Sequence, residues 1–161
     1  MPPDISTKSA SDPYVIQAID PDRDDVRRLI AASDGYLASL YPAESNHLTD
    51  IATLGASHVT FLAVLFHGEA VACGALVRTA PEECELKRMF VSEPHRGRGF
   101  GRRVLEALEN IAREEKRVVR LETGVKQQEA IALYRRAGYV DIEAFGPYAP
   151  DPLSIFMQRR P

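Results

Sequence analysis

Glu85-Leu86-Lys87-Arg88-Met89-Phe90-Val91 and, after four intervening residues, Arg96-Gly97-Arg98-Gly99-Phe100-Gly101-Arg102-Arg103 form the stretch from which the fold of this chain is read. The first segment is a strand, and the second is a glycine loop that runs into a helix near Gly99. Val104, Leu105, Leu108, Ile111 and Ala112 mark one face of that helix, with Arg103, Glu106, Glu109 and Arg113 on the other. Alternate glycines let the backbone bend without side chains covering its amides. The helix N-terminus adds a positive dipole end, and Arg96, Arg98, Arg102 and Arg103 add formal charge, so a polyphosphate is the natural guest. Nucleotide motifs fail on spacing: the Gly-Lys-Ser/Thr of a Walker loop is absent, and a dinucleotide fingerprint needs glycine where Arg102 or Val104 stands.

Outward from this core, Val118 to Glu122 reads as a strand and Glu129 to Ala137 as a helix, with Gly138 fitting just past its end. Tyr139 to Phe145 and Leu153 to Gln158 close a sheet. Upstream, Tyr14 to Ile19 is a strand, and Asp20-Pro21 predicts a helix start, with apolar positions from Val26 to Tyr41 and a stop at Pro42. A weaker helix is expected over His47 to Leu54. Thr60 to Phe66 and Ala70 to Val77, joined by His67-Gly68-Glu69, predict a hairpin to which Glu85 to Val91 adds. The order predicts an α/β sandwich: a mixed, mostly antiparallel seven-stranded sheet flanked by about four helices.

The length of 161 residues suits one compact unit over residues 13–161, with the polar, aperiodic residues 1–12 expected to form a disordered leader. Lys plus Arg number 20 against 23 Asp plus Glu, a formal charge of -3, so no global basic field draws the chain to nucleic acid or anionic lipid. No apolar run is long enough for a membrane span, and no signal peptide is evident, which predicts a cytoplasmic protein. Cys73 and Cys84 give no disulfide framework and are expected as small buried thiols. His47, His58, His67 and His95 show no metal-ligand spacing, so no metal is expected.

The strand Glu85 to Val91, the Arg96-x-x-Gly99-x-Gly101 loop, and Ala130-Ile131-Ala132-Leu133-Tyr134 with Gly138-Tyr139 together resemble the GNAT superfamily of N-acetyltransferases. The resemblance spans roughly residues 14–158 and is most specific between Glu85 and Phe145. It implies that the strand before the loop splays from its neighbour and that the pantetheine arm of acetyl-CoA lies in the gap like an added strand. The implied contacts are main-chain groups of Met89, Phe90 and Val91 for the pantetheine, and Arg96, Gly97, Arg98, Gly99, Phe100, Gly101 and Arg102 for the pyrophosphate. Gln127 stands where many relatives place a cofactor-touching asparagine, a departure from the pattern, with Gln128 as its neighbouring alternative.

The implied reaction is direct attack by a primary amine, expected to belong to a small molecule, on acetyl-CoA. Deprotonating an amine of pKa near 10.4 at pH 7 costs about 4.6 kcal/mol, so a proton acceptor is useful. Glu85 falls at the strand position where several family members carry a catalytic glutamate; pairing with Lys87 or Arg88 is its structural alternative. Tyr134 falls where the family commonly places the tyrosine facing the departing sulfur; a core tyrosine is the alternative. The acceptor pocket is expected from Tyr36, Tyr41, Glu44 and His47 with Phe145, Gly146, Pro147 and Tyr148; an anionic acceptor would call on Arg78 or Lys87. A non-catalytic acyl-CoA sensor would need neither Glu85 nor Tyr134, a protein lysine or N-terminal acceptor stays open, and a nucleic-acid module is disfavoured by the helix starting inside the loop. Family members often dimerise, which leaves a homodimer open.

Overall fold

The fold was read from a computed structural model that describes residues 13–161; the leader expected over residues 1–12 lies outside the described residues. The elements are β1 Tyr14–Ala18, α1 Asp24–Leu40, α2 Ile51–Leu54, β2 Val59–Phe66, β3 Glu69–Ala80, β4 Glu83–Val91, α3 Phe100–Glu114, β5 Val118–Gly124, α4 Gln128–Arg136, β6 Val140–Ile142 and β7 Ser154–Arg159. The strands form a seven-stranded sheet in the order β1-β2-β3-β4-β5-β7-β6. All neighbours are antiparallel except β4 and β5.

Both faces of the sheet are covered, which is why β2 and β3 read as apolar runs. Along β2, Leu62 and Val64 pack in one buried cluster with Val104, Leu105 and Leu108 of α3, whereas Phe61 and Ala63 pack in another with Val26, Leu29 and Ile30 of α1. Alternation along the strand sends successive residues to opposite layers. No described helix is long and apolar enough to cross a membrane.

Several predicted strands lengthen at one or both ends by one to three residues, β3 to Glu69–Ala80 and β5 to Val118–Gly124 among them, and three other elements shorten. The first helix begins at Asp24, not at Asp20-Pro21, because the Asp20 side chain accepts a bond from the Asp22 amide (2.9 Å) and holds a turn there. Asp25 then joins α1 to the sheet by accepting from the Ala70 amide at 2.9 Å. The helix expected over His47 to Leu54 shrinks to Ile51–Leu54, since Asp50 caps it by accepting from Thr53 N at 2.8 Å and residues 46–50 run without helix beside a cavity. The strand expected over Tyr139 to Phe145 pairs only at Val140–Ile142, after which the Phe145 ring turns onto Phe156 and Tyr148.

Candidate active site

β4 and β5 pair only from Glu83↔Val118 to Leu86↔Leu121. Beyond that point each follows its other neighbour, Phe90 and Val91 beside Cys73 and Ala72, and Glu122 to Gly124 beside Phe156 to Ser154. A register irregularity between Cys73 and Ala75 sets Arg88 and Met89 against Gly74, with Arg88 at φ 56. Such a bulge bends a strand and increases its twist, here turning β4 away from β5. The Arg88 side chain locks the bend by donating to the Thr49 carbonyl at 2.8 Å and pairing with Asp34 of α1.

The fork opens into a cavity of about 700 Å³ lined by Met89, Phe90 and Val91, by the glycine loop and the start of α3, and by α4 residues including Ala130, Leu133 and Tyr134. Gly97 and Gly99 hold φ of 81° and 80°, a left-handed backbone that any side chain would strain. No side chain caps α3, and its first intrahelical bond runs from Arg103 N to Gly99 O (3.1 Å), so the amides of residues 100–102 have no partner within the helix. These amides and the helix dipole make the N-terminus an anion site. The open strand edge, the uncapped helix and the cavity between them fit a phosphate-bearing cofactor with an extended arm.

The arginines divide. Arg96, Arg102 and Arg136 line the cavity, together with Lys126. Arg96 also donates to the Val91 carbonyl (3.2 Å) and lies 5.2 Å from the Tyr36 ring centroid, so it clamps the loop onto β4 and α1. Arg98 is not among the lining residues; its guanidinium sits 5.1 Å from the Phe66 ring. Phe100 contributes backbone only, because its ring is buried in the core against Tyr14 and Phe66.

A second cavity, about 100 Å³, adjoins the first and shares Ser33, Leu37, Met89, Gln127 and Tyr134 with it. Glu85 projects into it from β4 and is 7% exposed. The Tyr148 hydroxyl donates to Glu85, Lys87 Nζ lies 3.4 Å from the same carboxylate oxygen, and Lys87 Nζ donates to the Tyr148 oxygen at 2.7 Å. Glu122 enters from β5: it accepts from Ser154 Oγ at 3.1 Å and lies 3.8 Å from His47 Nε2. Burial pushes the Glu122 pKa above the usual carboxylate range. Tyr134 lies at the junction of the two cavities, and its own burial pushes its pKa above the ordinary phenol value.

Of the residues expected around the acceptor, Tyr41, His47 and Tyr148 line the small cavity and Tyr36 the large one. Glu44, Phe145, Gly146 and Pro147 line neither, and Arg78 is paired with Glu115 instead. Gln127 lines both, while its side-chain oxygen accepts from the Gly124 amide at 3.0 Å. Sequence reasoning missed Glu122. Its signal was a polar step, Glu122-Thr123, at the C-terminal end of a strand parallel to its neighbour, where ligands of α/β sheets gather. Cys73 and Cys84 are buried free thiols outside both cavities, pushed by burial to about 12. Among the described residues no group of three or more His, Cys, Asp or Glu is arranged to hold a metal.

The profile of the Acetyltransferase (GNAT) family matches residues 23–139. A curated protein of Azospirillum brasilense named IAA acetyltransferase is 48% identical over 141 residues, covering 86% of this chain and 92% of that protein. A solved Klebsiella pneumoniae structure assigned as an acyl-CoA N-acyltransferase superposes with a TM-score of 0.80 at 41% identity, covering 91% of this chain and 97% of the other. The PaiA N-acetyltransferase of Thermoplasma acidophilum, solved in complex with coenzyme A, shares the fold at a TM-score of 0.72 and 15% identity, covering 91% of this chain and 98% of its own.

Proposed function

The chain belongs to the GNAT acetyltransferase family and is an acyltransferase, and on that premise we propose that it moves an acetyl group from acetyl-CoA to the primary amine of a small molecule by direct attack. In this reading residues 13–161 act as one N-acetyltransferase domain. The observation that carries it is the meeting of two cavities at Tyr134: one between a splayed strand edge and an uncapped helix, the other polar and holding two carboxylates.

Acetyl-CoA, when bound, supplies an activated thioester carbonyl. The main chain of Met89 to Val91 holds the extended arm in strand-like fashion, and the amides at the start of α3, backed by Arg96 and Arg102, hold the pyrophosphate. Tyr134 donates a hydrogen bond to the departing sulfur. Its raised pKa makes full proton transfer to a thiolate of pKa near 8.5 uphill, so its role is stabilisation rather than outright protonation. Glu85 and Glu122 are the carboxylates able to accept the amine's proton. The small volume of the acceptor cavity supports a small molecule over a protein chain, and the name of the Azospirillum brasilense relative points the same way.

Thermal unfolding with and without acetyl-CoA tests the cofactor half without an acceptor. Ligand at a hundred times its dissociation constant adds about 2.7 kcal/mol, a rise of roughly 5–10 °C for a chain of this size. Gly99→Glu, which adds a side chain at φ 80° and an anion at the helix start, should abolish the rise. No rise at millimolar acetyl-CoA, free CoA or longer acyl-CoA would defeat the reading. Release of CoA thiol on adding a panel of primary amines then tests transfer, and binding without release from any amine would favour a sensor.

A further inference from the structure

The two carboxylates of the acceptor cavity are in different states. Glu85 is already matched: Lys87 and the Tyr148 hydroxyl share its Oε2, and the three groups tie β4 to the loop after β6. Glu122 is not. It is the first residue of β5 past the last pair with β4, so it stands in the fork itself. Its side chain is 17% exposed, and among the described residues no lysine or arginine lies within ion-pair distance of it. Its close polar partners are a neutral donor, Ser154 Oγ at 3.1 Å, and His47 Nε2 at 3.8 Å, whose side chain is 39% exposed and leads to solvent. The other titratable groups facing it are Glu85 and Lys87 of β4, which largely offset each other, and the hydroxyls of Tyr41 and Tyr148. A largely buried carboxylate whose one ionisable partner within ion-pair distance, among the described residues, is a partly exposed histidine is a site that a cation would satisfy.

Resting on the acyl-transfer reading above, we propose that Glu122 receives the acceptor's ammonium group and takes its proton, while Glu85, Lys87 and Tyr148 form a strut that shapes the cavity. One proton passes from the ammonium nitrogen to Glu122 and on to solvent beside His47. The freed lone pair forms the C–N bond to the thioester carbonyl carbon, the C–S bond breaks, and the second nitrogen-bound proton ends on the departing sulfur. Glu122 is the catalytic residue of the pair and Glu85 a positioning residue. Burial favours the protonated form of Glu122, which brings its proton affinity closer to that of its task than an exposed carboxylate would have.

The test needs no known acceptor. Calorimetry compares CoA with S-(2-aminoethyl)-CoA, which carries a primary ammonium on the sulfur, in the full chain and its variants. The wild type should bind the aminoethyl form about tenfold more tightly at pH 8, as expected for a charge-assisted bond. That preference should fade on acidification, at a higher pH than an ordinary carboxylate would lose it. E122Q should bind the two equally with CoA affinity unchanged, E122D should weaken the preference about threefold, and E85Q should keep it. A preference surviving in E122Q overturns the proposal; if E122Q does not fold, a wild-type preference in E122D does the same. Preference lost in E85Q and kept in E122Q would reverse the two roles. Failure of CoA itself to bind the wild type would instead defeat the acyl-transfer reading, and this inference with it.

Discussion

At Tyr134 and Glu122 burial shifts the pKa of single groups in the direction the proposed transfer would use. With its pKa raised by burial, Tyr134 stays a hydrogen-bond donor throughout the working pH range. Tyr134→Phe should therefore lower kcat about ten- to hundredfold, the worth of a hydrogen bond to a charged sulfur, while acetyl-CoA affinity in calorimetry stays within a few-fold. Glu122 makes a stability prediction of the opposite kind. Its folded-state pKa is raised, so the native chain binds more protons than the unfolded one, and stability falls as pH rises from the unfolded pKa through the folded one. Glu122→Gln should then raise the melting temperature at pH 8 relative to wild type and lose that advantage near pH 4, as scanning calorimetry at the two pH values would register. A variant that gains stability while losing preference for an ammonium marks a residue held against folding for function.

Among the elements, β5 and the chain before α2 meet at a contact that permits no extra atom. A Cβ on Gly124 would lie 1.9 Å from the Tyr41 hydroxyl oxygen, which itself accepts from the Lys126 amide at 3.0 Å. Gly124→Ala must displace the phenol, lose that bond and shift the β5–α4 turn, costing about 1–3 kcal/mol. The melting temperature should drop by several degrees, and the acetyl-CoA-induced rise should shrink because Gln127, Lys126 and Tyr134 follow from that turn. An unchanged melting temperature would mean that Tyr41 moves aside freely. A contact with β4 accompanies the non-helical backbone of residues 46–50: His47, Leu48 and Thr49 line the cavity, and the Thr49 carbonyl accepts from Arg88.

For the whole molecule, the site depends on a sheet clamped between two layers. Leu108 of α3 is fully buried in the larger cluster and lines neither cavity. Leu108→Ala should cost about 2–5 kcal/mol in urea unfolding, out of the 5–15 kcal/mol typical of a native chain. The acetyl-CoA-induced rise should persist in it, because the fork is built by strand pairing and the bulge rather than by that side chain. Loss of the rise in a folded Leu108→Ala chain would tie the cofactor site to the packing of α3.

What the residues determined by themselves was local: the glycine loop and its helix, the alternation and periodicity of the strands and helices, and hence the α/β sandwich. Those signals act within a few residues, through backbone sterics and the side a residue faces, so they are legible along the chain. Tertiary structure decided the rest. It put β7 between β5 and β6, ended the β4–β5 pairing at Leu86↔Leu121, and brought His47, Glu85, Glu122, Tyr148 and Ser154 into one cavity. Pairing and burial between distant segments set these outcomes, and they also decide which of two carboxylates lies beside a lysine and which, among the described residues, has only a serine and a histidine close by. Glu85 could be picked out because it matches the strand position where several members of the resembled family carry a glutamate, whereas the state of Glu122 exists only once the sheet has closed around it.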